Sequence, residues 1–378
     1  MFERTKAFCD SFLERGLPGF DLAVYKNGQC ILRHMGGYRD LENKIKIDGS
    51  ERYNIYSCSK PITCTAALQL YEKGLFSLED KLSDYMPEFE HMTVRTESGV
   101  KEAEKPILIQ HLFEMTAGFS YNCSSTNLKQ GLSDTDGNLP TREAMKYLAK
   151  DPLLFEPGER WNYSLCHDVL AALVEVISGE KFEDYIKKNI FDPLGMNRST
   201  FMLPESELEE LAQQYRFENG APRNVGKKIV TYKIGREYAS GGAGCISTVD
   251  DYIKFAEGLR EGKLIRPETL SLMMTDRLTE HQKSTYWVNG RGYGLGIRCN
   301  KAGDRYHDIG WGGAACAFLA IDVEKEISLY FGTHLLSSPV QGIRGMLYRM
   351  IYAELFDESE FDRIKNDLKE LHNYNLTY

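Results

Sequence analysis

The strand-forming segments of this chain lie near its two ends, and nearly everything between them is patterned for helix. Residues 20–34 read as a hairpin: Phe20 to Tyr25 is apolar and β-prone, Asn27-Gly28 supplies the positive φ of a tight turn, and Cys30-Ile31-Leu32 returns. Towards the other end, Tyr293–Ile297, Ala315–Ile321 and Ile327–Thr333 read as strands. Between them, Ile62, Ala66 and Leu70 recur at helical spacing ahead of Gly74, which places a buried helix from about Ser57 onward. Ile107–Glu114, Thr141–Lys150, His167–Ile177 and Phe182–Ile190 carry further helical patterns. Thr248–Leu259, capped by Ser247 or Thr248, and Gln341–Leu355 add helices later, and the charged tail Asp357–Glu370 reads as a solvated helix. The order predicts an α/β (α+β) fold, with one antiparallel sheet built from both chain ends and flanked by helices. Residues 1–77 and 226–378 are expected to form that sheet lobe, and 78–225 a mostly helical insert, with the cleft between them as the default site. The length of 378 residues agrees, because single hydrophobic cores stop growing near about 250–300 residues.

Charge and composition exclude several classes of function. Lysine and arginine number 46 against 55 acids, a net charge of −9, so no field draws a nucleic-acid backbone or an anionic membrane. No 18-residue apolar stretch is present, which excludes a membrane-spanning helix. The first ten residues, Met1 to Asp10, lack the basic start and apolar run of a secretory signal, and a cytoplasmic protein is expected. Nine cysteines without a C-x-x-C pair read as reduced thiols. The eight histidines are dispersed and His-Glu-x-x-His is absent, so neither metal nor cofactor is expected. There is no G-x-S-x-G elbow, which argues against an α/β-hydrolase. Oligomeric state is left open.

Ser57-Cys58-Ser59-Lys60 is the first segment with chemistry in it. Positions i and i+3 share a helix face, so the Ser57 hydroxyl and the Lys60 amine can meet. A serine needs a base to take its proton, and backbone N–H groups at a helix start favour developing negative charge. Alone, such a pair is also what a capping serine and a surface lysine look like. Its surroundings, Tyr53 to Thr63, resemble the nucleophile segment of the serine β-lactamase and penicillin-binding protein superfamily, above all the class C and esterase-like branch. The resemblance continues in order along the chain. It includes Gly36 to Glu42, Gln110-His111-Leu112 through Met115-Thr116-Ala117-Gly118, Phe155-Glu156-Pro157-Gly158-Glu159 leading to Tyr163-Ser164, Pro193-Leu194-Gly195-Met196, and Gly241-Gly242-Ala243-Gly244.

This resemblance implies a β-lactamase/transpeptidase-like fold and a serine hydrolase acting on an ester, amide or lactam carbonyl of a small-molecule acyl substrate. Ser57 would be the nucleophile, Lys60 and Tyr163 would manage its proton, and the backbone N–H groups of Ser57 and Trp311 would form the oxyanion hole. Cys58 is expected to pack beneath the site.

Two departures bear on the substrate. The second motif usually reads Tyr-x-Asn, and here it is Tyr163-Ser164-Leu165, so the amide near the acyl group is missing. The third motif usually offers Lys or His two residues before glycine. Alignment on Gly310 and the following Trp-Gly-Gly puts Asp308 at that position and His307 one residue early. Neighbours on a strand face opposite ways. With Asp308 facing in, positive charge is lost from the cleft, whereas a bulge turning His307 inward keeps a donor. His307, Asp308, Gly310 and Leu165 are therefore the expected substrate-binding positions. A small-ester or peptide hydrolase ranks above an efficient β-lactamase, and the alternative is a catalytically lapsed member acting as a binding protein.

Overall fold

In the computed structural model, which describes residues 1–227, 234–288, 290–300 and 303–373, both chain ends meet in one five-stranded sheet. Strands β1 (Gly19–Lys26), β2 (Gln29–Asp40), β3 (Ile45–Lys46), β4 (Phe318–Asp322) and β5 (Ile327–Thr333) run antiparallel in the order β4-β5-β1-β2-β3. Asn27 and Gly28 hold φ of 51° and 73°, the left-handed pair that a two-residue hairpin turn requires. The register sets Phe20 opposite Thr333 and Lys26 opposite Ile327, so the N-terminal hairpin is completed by residues three hundred positions away.

Helices cover both faces. Those that position the site are α1 (Glu3–Glu14), α2 (Ser59–Glu72), α3 (Cys166–Ser178), α4 (Val249–Arg260), α5 (Met346–Leu355) and α6 (Glu360–Asn373). The period of two in the strands decides which face meets which helix. Phe20, Leu22, Val24, Leu329 and Phe331 pack with Phe12 of α1 and Leu347 and Ile351 of α5. Ala23, Leu319, Ile321 and Tyr330 turn the other way, into a core shared with Val249, Tyr252 and Ala256 of α4 and with Ile62 and Ala66 of α2. Each fully buried Leu, Ile or Phe stabilises this arrangement by about 1.5–3 kcal/mol.

The mixed α/β class and the antiparallel sheet agree with the sequence reading, and several elements differ in detail. Within 78–225, hairpins at Thr93–Thr96/Gly99–Glu102 and Tyr215–Glu218/Ala221–Asn224 accompany the helices. The expected strand Tyr293–Ile297 shrinks to Gly292–Tyr293, because Gly296 (φ 79°) turns the chain and Gly294 N–H reaches Ile297 O at 2.9 Å. The tail is docked as well as solvated: Ile364 of α6 is buried, and buried Glu360 accepts from Arg349 Nε of α5 at 2.9 Å.

Candidate functional site

α2 is buried almost all round, because its sequence offers no continuous polar face: Ile62, Cys64, Ala66, Ala67 and Leu68 are all enclosed. Pro61 is tolerated in its first turn, where an N–H has no helical partner in any case. Just before the helix, Tyr56 sits at φ 48°, an uncommon conformation for a residue with a side chain, and a single 3₁₀ turn, Tyr56–Cys58, presents Ser57. Ser59 ties this turn down by donating to Tyr56 O at 2.6 Å while accepting from Cys245 N at 2.9 Å.

The hydroxyl of Ser57 accepts from Tyr163 OH at 2.5 Å and from Lys60 Nζ at 3.3 Å. Lys60 is fully buried, and its amine also donates to Gly242 O at 2.7 Å and lies 4.5 Å from the centre of the Tyr163 ring. A buried ammonium is costly unless paired or hydrogen-bonded, and these contacts supply the bonds. Tyr163 reaches the serine from a loop held by two of the motif segments. Gly158 N–H donates to Thr116 O (2.8 Å), Leu154 N–H to Gly118 O (2.8 Å) and Asn162 N–H to Met115 O (2.9 Å). The Tyr163 ring stacks on Tyr121 with an interplanar angle of 4° and on Trp311 at 23°, so its hydroxyl is aimed by rigid neighbours.

Cys58 packs beneath, as expected, with Sγ 3.9 Å from Trp311 O. Burial pushes its thiol up to about 12 and that of Cys166 up to about 11, so neither supplies a thiolate at neutral pH.

The third-motif segment departs from the sequence expectations. Asp308 is buried in the cleft wall, where Arg291 Nη2 donates to Oδ1 at 2.6 Å and Arg298 Nη2 to Oδ2 at 2.5 Å. Burial pushes its carboxyl up, but the Arg298 and Arg291 guanidiniums more than reverse this and hold it below the usual carboxylate range. The expected loss of positive charge is thereby corrected: two arginines stand against one acid, and Arg344 lines the same cleft, donating to Gly313 O at 2.9 Å. His307 points the other way, half-exposed, with Nδ1 3.0 Å from Glu324 Oε1, so it lines no part of the cleft. The pairing of this segment begins only at Ile309, opposite Ile321, and the two arginines hold the Asp308 side chain inward just before it.

Leu165 is likewise outside the cleft, buried in the helical core at the start of α3, where an apolar side chain is most stable. Gly310 serves the backbone: a Cβ there would lie 1.9 Å from Leu319 O, so only glycine fits against the neighbouring strand. Trp311 lies in the cleft wall. Its carbonyl accepts from Leu319 N–H (2.9 Å) and Gly313 N–H donates to Ala317 O (2.9 Å), a pairing that does not use the Trp311 N–H.

Ser57 and Tyr163 open onto a cavity of about 1060 Å³ whose walls include Tyr121, Trp287, Trp311, Phe318 and four arginines, Arg349 being the fourth. Tyr121, Trp287, Arg291, Arg298 and Arg344 carried no local sequence signal, because separate stretches of the chain bring them together: the segment before residue 126, the stretch 287–291, the strand Arg298–Cys299 and the turn before α5. Asp168 had one: an acid directly ahead of the apolar run Val169–Val174. Among the described residues no group of histidines, cysteines and acids could hold a metal ion.

A serine at the head of a buried helix, a lysine one turn on, a tyrosine from the facing loop and a sheet built from both chain ends define a β-lactamase/transpeptidase-like protein. The chain belongs to the Beta-lactamase family, which it matches over residues 5–346. Among characterised and uncharacterised relatives, it is 28% identical over 310 residues to Protein Rv1367c of Mycobacterium tuberculosis, covering 76% of each chain. It is 29% identical over 290 residues to esterase EstB of Burkholderia gladioli, covering 70% of this chain and 71% of the esterase. The fold is similar to EstCE1, described as a hydrolase with promiscuous acyltransferase activity, with a TM-score of 0.77, 25% identity and coverage of 93% and 98%. Simvastatin synthase LovD of Aspergillus terreus shares the fold at a TM-score of 0.75 and 24% identity, covering 93% of this chain and 97% of that one.

Proposed function

We propose that the protein is a serine hydrolase that cleaves a small ester or amide through an acyl-enzyme on Ser57. The observation that carries this reading is the contact of one serine hydroxyl with both Tyr163 OH and Lys60 Nζ at the base of an open cavity. In the first step Ser57 Oγ forms a bond to the acyl carbon and its proton passes into the Tyr163–Lys60 pair. The bond to the leaving group then breaks, and the leaving oxygen or nitrogen takes that proton. Water repeats the attack and releases the acid. The Ser57 and Trp311 N–H groups are assigned to the oxyanion, where each donor is typically worth about 10²–10³ in rate.

An ester or peptide substrate fits better than a β-lactam. Leu165 is buried in the helical core, so the position after Tyr163-Ser164 supplies no amide to an acylamino side chain. The named activity of EstB supports the ester reading. Transfer of the acyl group to a second alcohol in place of water is favoured by the cavity, which exceeds the need of a small ester, and by the acyltransferase activity named for EstCE1. The intact Ser57–Lys60–Tyr163 contact supports turnover over a lapsed binding role.

Hydrolysis of p-nitrophenyl acetate and butyrate and labelling by a fluorophosphonate test this, with Ser57→Ala as control. Both activities are expected in the native protein, and the variant should lose at least about 10³-fold. No Ser57-dependent acylation would sink the reading, and efficient nitrocefin turnover would reverse the order of substrates.

A further inference from the structure

One buried acid beside this machinery has no part in the steps above. Asp168 stands in the first turn of α3 and is 1% exposed. Its Oδ1 accepts from Ser240 Oγ at 2.6 Å and from Tyr238 OH at 3.0 Å, while its Oδ2 meets no side-chain donor and faces the backbone of Gly242. Burial pushes this carboxyl up, and the Ser240 hydroxyl, the charge of Lys60, the Tyr238 hydroxyl and the Gly242 N–H act against that, so the carboxylate depends on the lysine beside it. Gly242 shows where that charge is. A Cβ on Gly242 would lie 2.5 Å from Asp168 Oδ2 and 3.4 Å from Lys60 Nζ, so carboxylate and amine face each other across a space that one carbon atom would fill. Gly242 does not have a left-handed φ, so glycine is needed here for room. The same turn holds the lysine directly: Ser240 Oγ accepts from Ala243 N at 3.1 Å, and Gly242 O accepts from Lys60 Nζ at 2.7 Å.

We propose that Asp168 is the positioning residue for Lys60. Through Ser240 it fixes the turn whose carbonyl holds the amine, and its charge, acting across Gly242, sets the pH at which the Lys60–Tyr163 pair becomes able to accept the serine proton. The inference rests on the hydrolase reading above. The other titratable groups around the pair are Tyr121, Tyr163 and Tyr238, the thiols of Cys58, Cys64, Cys123 and Cys166, and His167. Burial raises the thiols and Tyr238 and lowers His167 to about 3, so these are uncharged at neutral pH and do not duplicate the acid. A nearby negative charge favours protonated Lys60 and disfavours the Tyr163 phenolate. Removing it eases proton loss from whichever of the two groups takes the serine proton, so the sign of the effect is the same for both.

The test is the pH dependence of Ser57 labelling by a fluorophosphonate and of p-nitrophenyl butyrate hydrolysis in the native protein, Asp168→Asn and Tyr238→Phe. Asp168→Asn keeps the shape and removes the charge. The acidic limb of both profiles is expected to move down by about one pH unit, and kcat to fall about 10- to 100-fold with KM within about twofold. Tyr238→Phe, which takes one donor from Oδ1 and leaves the charge less neutralised, should move the limb the opposite way by less, and it decides the matter if the asparagine variant does not fold. Variants that melt earlier but keep the native profile would overturn the proposal, as would an Asp168→Asn protein that matches the native one. Absence of Ser57 labelling in the native protein would instead overturn the hydrolase reading on which the proposal stands.

Discussion

Tyr163 does its work through one oxygen atom, and the rest of its side chain is scaffolding. The ring is stacked on Tyr121 and Trp311 and lies 4.5 Å below the Lys60 amine, contacts that a phenylalanine preserves. Tyr163→Phe is therefore expected to fold normally and to lower kcat by about 10²–10⁴, the usual contribution of a general acid–base group, with little change in KM. Steady-state kinetics on p-nitrophenyl butyrate beside a thermal melt separates the two effects. An active Phe variant would remove Tyr163 from the chemistry and leave Lys60 as the base.

At the scale of an element, Asp308 is a tie between segments. Arg291 comes from the stretch after Trp287, Arg298 from the following strand, and Asp308 from the chain leading to Trp311, so one carboxylate joins three pieces of the cleft wall. Breaking a buried pair by removing one partner typically costs about 3–5 kcal/mol, because the remaining charge is left buried and uncompensated. Asp308→Ala should lose about that much in urea denaturation, and a loss below about 0.5 kcal/mol, the ordinary value for a surface change, would refute the tie. The element scale also explains which motifs could be read. The segments at 115–118 and 154–158 are recognisable in sequence because their backbones pair at close range, which demands glycine at Gly118 (φ 92°, where a Cβ would lie 2.5 Å from Phe155 O) and at Gly158 (φ 81°). The arginines carry no such constraint, since any loop that reaches Asp308 can supply a guanidinium.

The whole molecule shows its closure in His334. This residue follows β5, is 2% exposed, and has its ring beside those of Tyr53 and Tyr215. Burial lowers it to about 3 from the ordinary histidine value. Below pH about 6.5 the unfolded chain takes up a proton there that the native protein refuses, so stability is complete above that pH and is lost as pH falls towards about 3. At pH 5 the loss from this one group is about 2 kcal/mol. His334→Phe removes it, so the stability of the variant relative to the native protein should improve by about 2 kcal/mol between pH 7 and pH 5. Denaturation curves at the two pH values check this, and equal differences at both would show that His334 is protonated in the folded protein.

Where the sequence by itself was decisive, the determinants were local. The turn at Asn27-Gly28, the α2 helix, and the i, i+3 placement of Ser57 and Lys60 depend on residues within one or two turns of each other, and the ordered motifs were enough to indicate the family. Tertiary structure decided what depends on distant segments meeting. It turned Asp308 inward onto two arginines and His307 outward to Glu324, because the partners of both side chains come from other segments: Arg291 and Arg298 on one side and Glu324 on the other. It sent Leu165 into the core, where burial of an apolar side chain outweighs any place in the cleft. It also put Asp168 across Gly242 from Lys60, a juxtaposition of α2, α3 and one glycine turn that no spacing along the chain encodes.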